Sequence, residues 1–392
     1  MEIPRALEQI ILGRLTDYSR IIVIYGPRQS GKTTLVRTIL AGLDSKWLYL
    51  NGDTREDREA LTDPTGRGLE TLIGGYAGIF VDEAQRFPEI GLTLKRLHDQ
   101  FAGLKLLVTG SSSLEIGDRI REPLTGRTWT YTLFPIAALE LSSRLTPLEL
   151  DRRLEELLVV GAYPALFSIP NRQDQIAHIR EVADAYLYKD ILELSGIRNA
   201  RKLRDLLRLL AFQVGNEVSF AEIGSRCSLS ADSVISYIDL LEKSFVLFRL
   251  GAWNRNLRKE VSKKCKVYFL DNGVRNALID DFKALAYRND VGALWENFLV
   301  AERRKRNAYS GAYGGSYFWR LQTGAELDYL EDQDGRLSAY EFKWRKSAAS
   351  VPASFAQAYP DHGFSLVNRD TWQSFVGVGV KAKASEGEHP TH

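Results

Sequence analysis

Nine consecutive residues, Gly26–Thr34 (GPRQSGKTT), have the types and spacing that hold a chain of phosphates. Gly26 and Gly31 let the backbone curl until successive N–H groups point at one anion. Pro27, Arg28, Gln29 and Ser30 form the span between them, and Thr34 closes it. Lys32 would reach the β- and γ-phosphates, and the Thr33 hydroxyl would hold Mg²⁺. The apolar run Ile21–Tyr25 precedes the loop and the amphipathic run Leu35–Leu40 follows it. A helix starting at the loop would add its unpaired N-terminal donors and positive dipole end. A glycine turn between a strand and a helix is the plain alternative. The complete pattern G-x-x-x-x-G-K-[ST] between these runs favours a site for ATP with Mg²⁺.

A second group of chemical residues follows buried-strand patterns. Gly78–Val81 (GIFV) runs directly into Asp82 and Glu83. Asp82 would complete the Mg²⁺ shell and Glu83 would polarise an attacking water, although Asp-Glu is also common at helix N-caps. Leu104–Val108 ends in Thr109-Gly110-Ser111-Ser112. If this strand lies between those of the loop and of Asp82, Thr109 or Ser111 would sense the γ-phosphate; a strand-end turn is the alternative. Arg119, Arg121 and Arg127 come next. Arg127, in Thr-Gly-Arg before Thr128–Leu133, is the first choice for an arginine acting on the γ-phosphate in cis or in trans. A solvated arginine is the ordinary fate of any one of the three.

The third group lies near the C-terminal end. Glu296 belongs to a helical pattern over 292–306 that ends in four basic residues, Arg303–Arg306. Asp328 sits on one expected strand, and Glu341 and Lys343 share one face of the next. Together they would form an oxygen-ligand site, with Asp328 and Glu341 on Mg²⁺ and Lys343 beside an attacked phosphate. Alternating charge on an exposed strand gives E-x-K as well.

The intervening elements must carry these groups. An amphipathic helix is expected over 3–19, and strands alternating with helices over 1–145 predict a parallel sheet covered on both faces. Periodicity then turns helical: Leu148–Val160, Gln173–Leu194 and Arg201–Phe212 read as a lid over 146–212, broken at Gly161–Pro164. Over 213–284, Phe220–Cys227 and Ser230–Lys243 have helix–turn–helix spacing with Ser230 as N-cap. Phe245–Leu250 and Lys266–Leu270 would make a wing, giving a winged helix. The wing segment carries Arg255, Arg258, Lys259, Lys263, Lys264 and Lys266, whereas the would-be recognition helix carries Asp232, Asp239 and Glu242. Such a helix suits phosphate-lined grooves poorly, so a solvated basic face stands beside nucleic-acid contact. An α/β module over 285–376 and a frayed tail over 377–392 complete the chain.

At 392 residues the chain exceeds a single core, which stops growing near ~250–300 residues. With 44% hydrophobic and 26% charged residues it is of ordinary globular composition, and a net charge of +2 gives no global field for nucleic acid. Cys227 and Cys265 alone exclude a disulfide scaffold or a Cys-rich zinc site. No apolar run reaches a membrane span and no signal pattern opens the chain, so no membrane association and a cytoplasmic location are expected.

The sequence resembles the bacterial and archaeal AAA-type P-loop ATPases that carry a C-terminal, functionally uncharacterised domain of restriction-endonuclease-like fold. The likeness is carried by IPR (3–5), GPRQSGKTTL (26–35), FVDEAQRFPEI (80–90), LVTGSSS (107–113) and LTGRTWTYTLFPIAALE (124–140). It continues in GAYPAL (161–166), KVYFLDNGVRNAL (266–278), LWENFL (294–299), FWRLQTGAELDYL (318–330) and YEFKW (340–344). It implies ATP hydrolysis by an additional-strand core, a winged-helix middle and a PD-(D/E)xK nuclease-like end. Three functions follow as expectations: an ATPase whose nucleotide state moves the other modules, with DNA or RNA as partner; a slow ATP-bound switch or interaction protein with a silent nuclease fold; and an ATP-regulated nuclease. An arginine acting in trans would require a homo-oligomer.

Overall fold

The computed structural model describes residues 3–16, 20–62, 66–111, 124–185, 200–253 and 265–379. The first unit begins with helix α1 (Ala6–Arg14) and continues as β1 (Ile21–Tyr25), α2 (Lys32–Ala41), β2 (Trp47–Asn51), α3 (Arg55–Thr62), α4 (Gly66–Ile73), β3 (Gly78–Asp82), α5 (Ile90–Gln100), β4 (Lys105–Gly110) and β5 (Thr128–Thr132). The five strands form one sheet in the order β2-β3-β4-β1-β5, every pair parallel. β4 therefore lies between the strand of the glycine loop and the strand of Asp82, as the sensor reading required. All five residues of β1 are buried. Ile22 and Ile24 enter one core, while Ile21, Val23 and Tyr25 enter another with α4 and α5. Helices on both faces explain why this strand is apolar throughout rather than alternating.

After β5 come the short α6 (Ala138–Leu141) and three longer helices, α7 (Pro147–Val159), α8 (Arg172–Ala185) and α9 (Ala200–Phe212). Thr146 caps α7 in a reciprocal bond with Glu149, and Pro147 occupies the first turn, where its missing N–H is not needed. Helices α10 (Phe220–Cys227) and α11 (Ala231–Lys243) follow, with Ser230 accepting from the Ser233 N–H as the expected N-cap.

The remainder is α12 (Asn272–Ile279), α13 (Val291–Ser310), α14 (Ala353–Ala358), α15 (Trp372–Phe375) and a second sheet. That sheet comprises β6 (Leu247–Ala252), β7 (Cys265–Phe269), β8 (Gly315–Arg320), β9 (Glu326–Gln333), β10 (Arg336–Phe342) and β11 (Gly363–Val367), ordered β11-β10-β9-β8-β6-β7. The hairpin expected as a wing is thus joined to the C-terminal strands: β6 pairs in parallel with β8 through Gly251↔Tyr317 and Ala252↔Phe318. The boundary expected at 284/285 falls inside one continuous sheet. The core on the Ile22/Ile24 face of the first sheet also runs on through the helices to Trp295, Phe318 and Trp372. The basic residues Arg255–Lys264, Arg119, Arg121, Ser112 and the end of the predicted helix 173–194 lie outside the described residues, as does most of the expected tail.

Candidate functional site

The glycine loop leaves β1 at the carboxyl end of the first sheet. Gly26 has φ +150°, and a Cβ there would fall 2.1 Å from the Leu133 carbonyl oxygen, so only glycine fits against the chain leaving β5. Gln29 and Gly31 also have positive φ, and Gly31 is the N-cap of α2. Lys32 is buried and folds back to donate to the carbonyls of Gly26 and Pro27, each at 2.8 Å. The Ser30 hydroxyl oxygen is buried with no hydrogen-bond partner among the described residues. An ammonium resting on its own loop and a buried hydroxyl without a partner fit a cradle whose acceptors arrive with a phosphate chain. Pro27 is buried, Arg28 is partly covered, and Gln29 and Thr34 are exposed.

Three strand ends bring the second group to this loop. Thr33 Oγ1 donates to Asp82 Oδ2 at 2.8 Å, and Thr109 Oγ1 donates to Asp82 Oδ1. Thr33 and Asp82 thereby offer a hydroxyl and a carboxylate oxygen side by side, groups that could hold Mg²⁺. Glu83 follows with φ +50°, a left-handed conformation that is uncommon for a side-chain-bearing residue. Its carboxylate accepts from Gln85 Nε2 at 2.5 Å, and the same nitrogen lies 2.9 Å from Ser111 Oγ. The two sensor candidates therefore divide: Thr109 contacts Asp82 directly, and Ser111 reaches Glu83 through Gln85.

Arg127 is not part of this group in its own chain. It precedes the first residue of β5, opposite the start of β1, whereas the glycine loop follows the last residue of β1. Five residues at ~3.3 Å each separate the two ends by roughly 16 Å. Its guanidinium pairs instead with Asp99 at 3.1 Å. Of the two alternatives for Arg127, in cis or in trans, this geometry does not offer the first, because parallel strands put their amino ends on the side away from the loop.

Two contacts were missed in the sequence. Tyr49 on β2 donates to Asp82 Oδ2 at 3.1 Å; burial and the Asp82 charge raise its phenol above the usual range. Arg5 donates to the Ser30 carbonyl at 2.7 Å, the Phe134 carbonyl at 2.6 Å and Glu140 at 3.1 Å. Nothing local signals these pairings, because Arg5 and Glu140 are 135 residues apart.

The C-terminal group does converge. Asp328 accepts from the Phe342 N–H at 2.7 Å, Lys343 lies 2.5 Å from Glu341 and 3.9 Å from Asp328, and Glu296 accepts from Tyr268 Oη at 2.6 Å. Lys266 completes it, 3.1 Å from Glu296 and 2.7 Å from Glu326, with its side chain 1% exposed. This lysine was counted with the basic wing; β7 instead carries it into the carboxylates. Burial opposes its charge, but Glu296, Glu326 and Asp328 outweigh that and raise its pKa. The Asp328 carboxyl is pushed up to about 7, by burial first and then by Glu296 and Glu341. Among the described residues no three carboxylate, imidazole or thiol groups are disposed to hold a metal ion. The ammonium groups of Lys266 and Lys343 lie directly against these carboxylates.

Three of the four basic residues near the end of α13 are also engaged internally. Arg303 pairs with Glu331 through two bonds, Arg304 lies 4.7 Å over the Phe248 ring, and buried Lys305 bonds Glu302 at 2.6 Å. On α11, Asp239 and Glu242 are both held by Arg249 of β6, so this acidity is largely compensated within the fold.

Residues 18–142 match a family model described as an AAA domain, residues 151–284 a domain of unknown function (DUF8612) and residues 291–382 another (DUF4143). An uncharacterized protein of Mycobacterium tuberculosis is 28% identical over 354 residues, covering 89% of this chain and 76% of its own. One from Methanocaldococcus jannaschii is 23% identical over 331 residues, covering 80% and 72%. Among solved structures, the Walker-type ATPase PABY2304 of Pyrococcus abyssi is 16% identical, with 69% of this chain and 94% of that one aligned at a TM-score of 0.49. The first unit is a P-loop ATPase domain of AAA type. No helix among the described residues is long and apolar enough to cross a membrane.

Proposed function

We propose that this chain, built on a P-loop ATPase domain, hydrolyses ATP with Mg²⁺ and uses its nucleotide state to reposition the C-terminal region. The observation that carries the reading is the meeting of Lys32, Thr33, Asp82, Glu83 and Thr109 at one end of three adjacent parallel strands. In this reading Lys32 leaves the loop carbonyls for the β- and γ-phosphates, Thr33 and Asp82 hold Mg²⁺, and Glu83 takes a proton from the attacking water.

Transmission is supported by α13. The segment after β5 lies on the P-loop, with the Leu133 N–H donating to the Tyr25 carbonyl at 2.7 Å. The same segment is gripped by α13: Phe134 N–H donates to Tyr309 Oη at 3.1 Å, Ala138 N–H to Glu302 at 2.6 Å, and Lys305 Nζ to the Ile136 carbonyl at 3.3 Å. Glu296, nearer the start of the same helix, contacts Lys266. One helix of 20 residues, about 30 Å long, thus contacts the C-terminal cluster directly and the P-loop by way of the segment after β5.

The C-terminal cluster is proposed to be a silent form of a nuclease-like fold, because Lys266 and Lys343 already lie against its four carboxylates as ion-pair partners. Nucleic acid is proposed as the macromolecule acted on, from the helix–turn–helix order of α10 and α11 as a winged helix and the basic residues 255–264. The test is ATP turnover with and without Mg²⁺ and a panel of DNA and RNA. Wild type should turn over ATP, faster with one nucleic acid and without cutting it. Lys32→Ala and Glu83→Gln should lose at least ~100-fold in rate. Equal rates in all three proteins would sink the proposal.

A further inference from the structure

Gln85 sits in the single helical turn Ala84–Arg86 that follows Glu83. Its amide nitrogen has two hydrogens and two acceptors within reach, Glu83 Oε2 and Ser111 Oγ. Both hydrogens are thereby used, and Glu83 is tied to the end of β4 through one planar group. The other end of the amide is different. Gln85 Oε1 is buried and has no hydrogen-bond partner among the described residues. A buried carbonyl without a donor is costly, by about the desolvation of the group. Such an oxygen is stable where a donor arrives with the substrate or with water. The backbone reinforces the placement: Glu83 is left-handed, and a Cβ on Gly52 would fall 2.4 Å from its carbonyl oxygen, so this turn has little freedom to relax.

We propose that Gln85 is a positioning residue for ATP hydrolysis: its nitrogen holds Glu83 against Ser111, and its carbonyl oxygen accepts from the attacking water. The inference rests on the ATPase reading above and adds a residue to it. In the step concerned, the water oxygen forms a bond to the γ-phosphorus. The bond from that phosphorus to the β,γ-bridging oxygen breaks, and its electron pair leaves on ADP. The water proton passes to the Glu83 carboxylate. Ser111, the second acceptor of the same amide nitrogen, is the group through which the end of β4 would set the angle of Gln85. The arrangement gives the left-handed turn a purpose, since a helical Glu83 would aim its carboxylate elsewhere.

The experiment is steady-state ATP turnover, equilibrium ATP binding and thermal unfolding on the full chain for Gln85→Ala, Gln85→Glu, Ser111→Ala and the Gln85→Ala/Ser111→Ala pair. Gln85→Ala should lower kcat about 10- to 100-fold while KM and ATP affinity stay within threefold. Ser111→Ala should cost less, and the pair should cost no more than Gln85→Ala alone, because both act through one connection. Gln85→Glu keeps the size of the side chain but loses the amide hydrogens that hold Glu83 and Ser111, so kcat should fall about as far as in Gln85→Ala with KM within threefold. A Gln85→Ala protein with wild-type kcat, while Glu83→Gln is inactive, overturns the assignment and leaves the ATPase reading standing. Parallel loss of ATP binding and thermal stability in both Gln85 variants makes the residue structural and also overturns it. A wild-type chain that binds ATP without turning it over overturns both.

Discussion

Around Asp82 the donors are neutral: two threonine hydroxyls and a tyrosine hydroxyl, with an amide on the neighbouring Glu83. Around Asp328 they include ammonium groups, with Lys266 between Glu296 and Glu326 and Lys343 on Glu341. Both are carboxylate clusters at strand ends, yet their charge is met differently. Hydroxyls and amides solvate a carboxylate without cancelling it, so the first cluster keeps a negative charge for a cation delivered with a ligand. Two lysines, Lys266 buried and Lys343 partly exposed, set positive charge directly among four carboxylates, so the second already holds cations of its own. The type of donor beside a carboxylate, more than the count of carboxylates, separates a site that awaits a cation from one that carries its own.

Exchanging one partner in each cluster gives the largest contrast. Lys266→Met should destabilise the fold by ~3–5 kcal/mol, because Glu296 would lose its lysine and Glu326 the nearer of its two cations. Asp82→Asn should change thermal stability little and instead abolish Mg²⁺-dependent ATP binding; calorimetry with and without Mg²⁺-ATP reads both. Equal stability losses would remove the distinction.

Asp328→Asn comes next. The aspartate binds a proton more readily in the folded chain than in the unfolded one, its carboxyl rising from an ordinary 3.8 to about 7. Its contribution to stability is therefore full below about pH 4 and is lost as pH rises through 7. Above that range the asparagine variant should be the more stable, by on the order of 2–4 kcal/mol, and the gap should close at acid pH. Denaturant titrations from pH 4 to 8 would show it.

A smaller effect tests the connection between the clusters. Glu302→Gln should leave ATP affinity within about threefold, yet remove any slowing by ATP of amide exchange in β9 and β10. Exchange that still responds to ATP would place the route elsewhere. The smallest expected change is Tyr49→Phe, which removes one neutral donor from Asp82 and should cost about 1 kcal/mol in Mg²⁺-ATP binding.

The P-loop unit was legible because its signals are local. Gly26, Gly31, Lys32 and Thr33 lie within eight residues, and the burial of β1, β3 and β4 on both faces leaves apolar runs that end in polar groups. The helices and strands near Asp328 were also readable, and Glu296, Asp328, Glu341 and Lys343 do meet. What stayed hidden depends on long-range placement. Lys266 reads as one more basic residue in a basic stretch until β7 carries it into the carboxylates. Arg127 has a suitable local setting, but strand direction puts it at the wrong end of the sheet. Arg5 is adjacent to the P-loop only because β5 returns the chain there. Gln85 stands beside Asp82 and Glu83 in sequence, but the role proposed for it depends on Ser111, 26 residues later.

The pairing of β6 with β8 also governs how the chain can be divided. The family models part between 284 and 291, which invites expression of the C-terminal part alone. Such a fragment would lack β6 and β7 and leave β8 as a bare edge with unpaired N–H and C=O groups, an invitation to aggregate. It would also lose Lys266, the lysine partner of Glu296 and the nearer of the two cations beside Glu326. A fragment cut before α10 would keep all six strands together.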